Sequence, residues 1–475
     1  MRLTRRQILQ GGAATAGLVF TGGTSTLFST TAGAASGRPA SARRNAVRSW
    51  ANGYGDLVPD PAGVLDLPAG FTYQIVSESG GPLTGGAGVL PDAFDGSGLF
   101  DIDGRRFLVR NSEQWLPPDH EHHVIAALEL TYDPAAVGGT TTTELDDAHG
   151  VVAEYFSLGG TVANCAGGKT PWATWLTCEE TEWRTGENGL TKDHGFVFEV
   201  DPVNPFANLN PTPLYGLGRF AHEAAVIDPT TGIVYLSEDA SEPNGLLYRA
   251  LPSRPLGGWA SLRAGASLEA LVAKDGGTLV GDLSVYSDVG TVLSVGWVPV
   301  PDPLAVETYT RTQLDEVTRA RKLEGMWFGD GAVHVVSSFA RLGDGSAQEH
   351  DGQIWRLDPA ASTLELVVRF GLNDAPESDA IDGPDNVTVS PWGGLLVCCD
   401  GAGAQHLFTV APDGSTSIFA RNARDASELT GANFSDDGST LFFNMYDPGA
   451  TFAVTGPFAG DDTGGTAPDT EATTP

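Results

Sequence analysis

Seven clusters of metal-binding side-chain types recur along the chain: Asn111/Glu113, Asn164/Cys165, Glu179/Glu180, His222/Glu223, Glu238/Asp239, Glu324, and Asp382 with Asp385, Asn386 and Asp400. Hard cations such as calcium take oxygen ligands, and iron also accepts thiolate and imidazole. Taken singly, each acid reads as a solvated strand end. Taken together, at matching points of a repeat, they point to one shared cation site. Competing chemistries lack their motifs, since there is no EF-hand loop, H-E-x-x-H, Gly-rich phosphate loop or G-x-S-x-G. The patch DHEHH (119–123) offers soft-metal ligands but reads better as a polar loop.

Positioning such residues requires a repeated element. A polar turn followed by an apolar strand that ends on an acid or small polar residue occurs as DGRRFLVRNSE to Glu113 and KTPWATWLTCEE to Glu180. It returns as TGIVYLSED to Asp239, GAVHVVSSF near Ser338, GGLLVCCD to Asp400 and GSTLFFNMYD to Asp447. A second phrase, a short aromatic-containing strand before a Pro turn, usually follows, as in HGFVFEVDP (194–202) and DGQIWRLDP (351–359). This pattern predicts an all-β fold, a β-propeller of about six blades. The strands of the first phrase are expected to be innermost, so that their terminal acids ring one mouth of the channel. Such a ring is tolerable only when cations fill it. Two stretches, 260–273 and 311–322, read as helical insertions between blades.

Composition agrees with one large β domain, with 61 Gly and 30 Pro among many short apolar runs. A formal charge of −33 excludes nucleic acid and anionic membranes as partners. It leaves a small anionic substrate dependent on bound cations. Arg5-Arg6, a weak Gly- and Thr-rich apolar stretch and an A-x-A site at 32–34 predict a twin-arginine export signal over 1–34. That stretch is too weakly apolar for a stable membrane span. A linker is expected at 35–51, one propeller domain at 52–458 and a disordered acidic tail at 459–475. A monomer is the default for a fold with few exposed edges. Spacing alone makes Cys165, Cys178, Cys398 and Cys399 buried thiols, with a 165–178 disulfide as the alternative in an oxidising compartment.

Ordered blocks over about 57–458 resemble the PhoX-type alkaline phosphatases. They include NCAGGKTPWATWLTCEET (164–181), GRFAHEAAVIDPTTGIVYLSEDA (218–240), LEGMWFGDG (323–331) and DGPDNVTVSPWGGLLVCCDG (382–401). The resemblance implies an exported propeller that hydrolyses phosphomonoesters with iron and calcium ions. Transferred block by block, it makes Cys165 an iron ligand, against the plain reading of its spacing. Glu180, Glu223 and Glu324 become carboxylate ligands and Asp400 a calcium ligand, with Glu179, Asp239, Asp385 and Glu113 as further candidates. Lys322 or Arg321, and Arg219, would orient the phosphate.

The chain departs from the family pattern at four places. Lys322 stands where an Arg is usual, Cys398-Cys399-Asp400 replaces C-E-D, Asn111-Ser112-Glu113 replaces N-H-E, and Asn444-Met445-Tyr446 replaces N-I-Q. Lys keeps the charge but loses bidentate geometry. These changes keep a second reading open: a non-catalytic or calcium-only propeller that binds an extracellular ligand or hydrolyses another ester.

Overall fold

A computed structural model describes residues 53–373 and 380–458. The expected signal (1–34), linker (35–51) and tail (459–475) lie outside the described residues. The strands carry nearly unbroken apolar runs, and Val234–Glu238, Leu395–Cys399 and His406–Val410 are buried throughout. Burial on both faces is what a sheet needs when other sheets cover it on either side.

Six strands line the centre: Phe94–Ile102, Asn164–Lys169, His222–Ile227, Leu323–Gly329, Pro384–Val389 and Leu429–Phe434. Each packs against the next, and the last packs against the first, so the ring closes. The blades are numbered one to six from these strands, and each strand leads outward through antiparallel hairpins. A hydrophobic cluster fills every interface between neighbours. Phe107 and Phe198 lie between blades one and two, and Leu108 and Phe442 between blades one and six. The remaining four interfaces have clusters of the same kind. Each large apolar side chain buried there contributes about 2 kcal/mol. The N-terminal strand Thr72–Glu78 completes blade six by pairing with Ala450–Thr455, which fastens the ring.

Hydrogen bonding counts five sheets rather than six separate blades, because Val292–Pro299 pairs on one side with Ala266–Asp275 and on the other with Thr363–Phe370. Blades three and four are thereby one continuous ten-stranded sheet. The strands of the first sequence phrase also prove to be second in their blades, not innermost, as Arg105–Ser112 beside Phe94–Ile102 illustrates. Neither predicted helix forms, and no α-helix occurs among the described residues. In 260–273, a turn at Ser261–Ala264 precedes the strand Ala266–Asp275, because pairing on both sides outweighs the helical pattern. In 311–322, only Thr310–Thr312 makes a helical turn. Arg319 instead binds the carbonyls of Arg311, Leu314 and Asn244, which fixes the segment as an irregular loop. No helix of the described residues is long and apolar enough to cross a membrane.

Candidate metal centre

One local device, repeated six times, builds the site. Every inner strand shifts register just after it starts, between Phe94 and Ser97, Asn164 and Gly167, His222 and Ala225, Leu323 and Met326, Pro384 and Val387, and Thr430 and Asn433. A bulge of this kind re-aims the side chain it carries. In five blades the second residue of the strand is Asp95, Cys165, Glu223, Glu324 or Asp385. In the sixth it is Thr430, whose hydroxyl donates to the Phe94 carbonyl at 2.9 Å. The next residue is Gly or Ala in four of those five blades, because the neighbouring strand is already there. A Cβ on Gly96 would stand 2.6 Å from Ala166 Cα, and one on Gly325 would stand 2.7 Å from Asn386 Cα.

The second strand of each blade ends at the same level. The backbone N–H groups of Glu113, Glu180, Asp239, Ser338, Asp400 and Tyr446 donate to the carbonyls of Ala93, Ala163, Ala221, Lys322, Gly383 and Glu428. Each accepting residue immediately precedes its inner strand. Ala93, Ala163 and Lys322 hold positive φ values of 58°, 49° and 46°, a strained turn that at Ala93 and Ala163 lies between two candidate donors, Asp95 with Glu113 and Cys165 with Glu180.

The result is four overlapping groups, with ligand atoms in each within 4.8 Å of one another. They are Asp95–Glu113–Cys165, Cys165–Glu180–Glu223, Glu223–Glu324–Asp385 and Asp385–Asp400–Glu428. Shared members join them into one arc of eight carboxylates and a thiol, all buried. Cys165 Sγ lies 3.0 Å from Glu223 Oε1. None of the four cysteines is disulfide-bonded, so the alternative of a 165–178 disulfide is not realised. The donor chemistry fits hard cations together with one that accepts sulfur. Without cations, so many buried acids could not all ionise.

Of the residues singled out in the sequence, Cys165, Glu180, Glu223, Glu324, Asp385, Asp400 and Glu113 belong to this arc. Glu179 and Asp239 stand outside the four groups. Glu179 accepts from His194 Nδ1 at 2.6 Å and from the backbone of Val162, Gly195 and Phe196, so it ties down the strand end behind Glu180. Burial alone would lower the His194 pKa, but the Glu179 and Asp133 carboxylates outweigh it and raise it. Asp239 faces cations, with Arg321 Nη1 at 3.2 Å and Lys322 Nζ at 3.8 Å. Lys322 Nζ also lies 2.8 Å from Glu324 Oε1, at the edge of the arc. Arg219 is buried and donates through Nη2 to the carbonyls of Glu182 and Trp183, so it holds that turn. Glu238 pairs with Arg311 at 3.0 Å, and burial pushes its pKa up to about 7. In the 119–123 patch, His122 faces Asp92 and His123 faces Gln114, and no metal-sized group forms there.

Sequence reasoning missed Asp95 and Glu428. The available signal was an acid or thiol near the start of five of the six inner strands, followed by Gly or Ala in four of them: D-G, C-A, E-A and E-G, with D-N the fifth. Sequence reasoning also read Asn111 as part of a ligand cluster and did not foresee that this side chain, with Ser237 and Asn444, holds the bulges. Asn111 Nδ2 donates to the carbonyls of Cys165 and Ala166, Ser237 Oγ to that of Glu324, and Asn444 Nδ2 to that of Asp95. In each case the second strand of one blade fixes the ligand-bearing residue of the next.

Fold and site together define a propeller with a candidate multi-cation centre at one mouth of its channel. The chain belongs to the alkaline phosphatase PhoX family, whose model matches residues 52–154 and 147–449. On that membership it is a phosphoric monoester hydrolase. Among solved structures, Pseudomonas fluorescens PhoX in complex with vanadate, a transition state analogue, matches with a TM-score of 0.64 and 18% identity, over 85% of this chain and 98% of that one. A gluconolactonase from Xanthomonas campestris, XC5397, matches with a TM-score of 0.40 and 10% identity, over 85% and 98%. No curated protein sequence matches the chain.

Proposed function

We propose that this phosphatase is exported and works with iron and calcium ions held by the arc. Cys165, Glu180, Glu223 and Glu324 would hold the iron, with Asp385, Asp400 and Glu428 holding calcium and Asp95 and Glu113 closing the Cys165 end. The observation that carries this reading is the continuity of the arc, in which Cys165, Glu223 and Asp385 each serve two groups. When bound, such cations polarise phosphoryl oxygens and lower the pKa of a coordinated water.

The chain's own residues supply the rest. Lys322 brings a buried ammonium to the edge of the arc, where it binds a phosphoryl oxygen as a point charge. Asp239 keeps Lys322 and Arg321 oriented. Arg219 acts through the 182–183 turn rather than on the phosphate. Asn111, Ser237 and Asn444 keep the donor-bearing backbone from moving as charge builds at the reacting phosphate.

Hydrolysis of p-nitrophenyl phosphate by purified wild type, Cys165→Ala and Glu223→Ala tests the reading. Turnover is expected to fall at least a thousandfold in both variants, with the fold retained by circular dichroism. Wild-type turnover rates in either variant would refute it. The Lys322–Glu324 ion pair favours the calcium-only reading, because an ammonium already neutralises one carboxylate. Colour separates the two, since iron with thiolate ligation absorbs visible light and calcium does not.

A further inference from the structure

The rim of the channel mouth differs from side to side. At blade four, Arg321, Lys322 and Arg341 surround the half-buried Phe339 ring at 5.9, 5.3 and 5.4 Å, and each is paired with a carboxylate, so this side is densely charged. At blades one and two the rim is apolar. Trp115 and Trp183 meet edge to face there, with centroids 5.6 Å apart and planes at 75°. Trp115 lies two residues after Glu113 and donates from Nε1 to Glu113 Oε1 at 3.2 Å. Trp183 lies three residues after Glu180, on the turn that Arg219 and the His194 N–H hold through its carbonyls. Both indoles are half-buried, and both rest on a small cluster of Ala136, Val162, Ala163 and Leu190, separate from the clusters between blades.

An indole pair of this kind is large, rigid and partly open, and it is anchored to a candidate metal ligand. We propose that Trp115 and Trp183 form the leaving-group subsite and select phosphomonoesters whose alcohol is neutral, planar and aromatic, such as a phenol or a nucleoside. This inference rests on the phosphatase reading above. Trp115 holds Glu113 at one end of the arc and Lys322 pairs with Glu324 further along it, with Cys165 and Glu223 between them, so a phosphate bound on that stretch would have the indole pair to one side for its ester substituent. Edge and face contacts with an indole favour a flat ring over an aliphatic group of equal size. The carboxylate-rich arc and a net charge of −33 disfavour a leaving group that carries further negative charge.

The test measures kcat/KM for phenyl, cyclohexyl and glycerol phosphates in wild type, Trp183→Ala and Trp183→Phe, alongside calorimetric binding of adenosine, a leaving alcohol that is not itself hydrolysed. In Trp183→Ala, the preference for phenyl over glycerol phosphate should fall about tenfold and adenosine binding should weaken to match. Trp183→Phe should restore most of both. An unchanged preference, or equal losses on all three esters, would overturn the subsite. An equal loss of preference for cyclohexyl phosphate would overturn its aromatic character. A wild type inactive on every ester would instead refute the phosphatase reading, and the subsite with it.

Discussion

Lys322 is the residue on which charge balance at the site turns. Its ammonium is buried between Glu324 and Asp239, on a backbone held at φ 46°. Lys322→Met should lower kcat/KM for p-nitrophenyl phosphate by tenfold or more. In chelator it should also destabilise the protein by about 3 kcal/mol, because the carboxylates lose a buried partner. Steady-state kinetics and urea unfolding read the two effects separately. Glu179 should behave differently. Its four hydrogen bonds serve the strand end, so Glu179→Ala should lower stability by about 2–4 kcal/mol in calorimetry, as buried donors lose their acceptor. Glu113, Glu180 and Asp400 were legible in the sequence because they close recognisable strands, whereas Cys165, Glu223, Glu324 and Asp385 were singled out by residue type and by the family resemblance. Asp95 was not, because F-D-G-S-G reads as a turn, and Glu428 sits before a strand rather than at the end of one.

At the scale of the element, the bulge and the side chain that holds it matter more than strand propensity. Asn111 grips the carbonyls of Cys165 and Ala166 and accepts from Trp175 Nε1 at 3.0 Å. Asn111→Ala should therefore reduce the iron content of the purified protein as well as kcat, with Asn111→Asp recovering little because an acid cannot donate to those carbonyls. Metal analysis beside kinetics distinguishes this from simple unfolding. Gly431 follows Thr430 in the one inner strand that carries no donor. At φ 59°, a Cβ there would stand 2.6 Å from the Asp95 carbonyl, so Gly431→Ala should cost about 1–3 kcal/mol and displace Asp95. The sequence announced the second and third strands of each blade through their acid-ended and Pro-turn phrases. The inner strands went unread because their second residue is Asp, Cys, Glu, Glu, Asp or Thr, which interrupts the apolar run at its start. The segments 260–273 and 311–322 looked helical locally, and sheet pairing and the carbonyl contacts of Arg319 decided otherwise.

Over the whole molecule, the ring closes through blade six, and blades three and four are fused through Val292–Pro299. The propeller was legible from repetition alone. The fusion was not, because no local pattern says that one strand will pair on both sides. Stability should also depend on pH through buried histidines. Burial pushes His222 and His350 down to about 3 and His334 down to about 4. Folded values below the unfolded one mean that their contribution is complete above about pH 6.5 and is lost as pH falls towards the folded values, by about 1 kcal/mol each at pH 5.5. The melting temperature should drop on acidification over that range, and His334→Phe should flatten the drop. The most direct test of the metal-centre account is elemental analysis of the purified protein beside Cys165→Ala and Glu223→Ala. The account predicts iron together with calcium, more than one cation per chain, and iron lost from both variants while they remain folded. A folded, active wild type with no stoichiometric metal would contradict it.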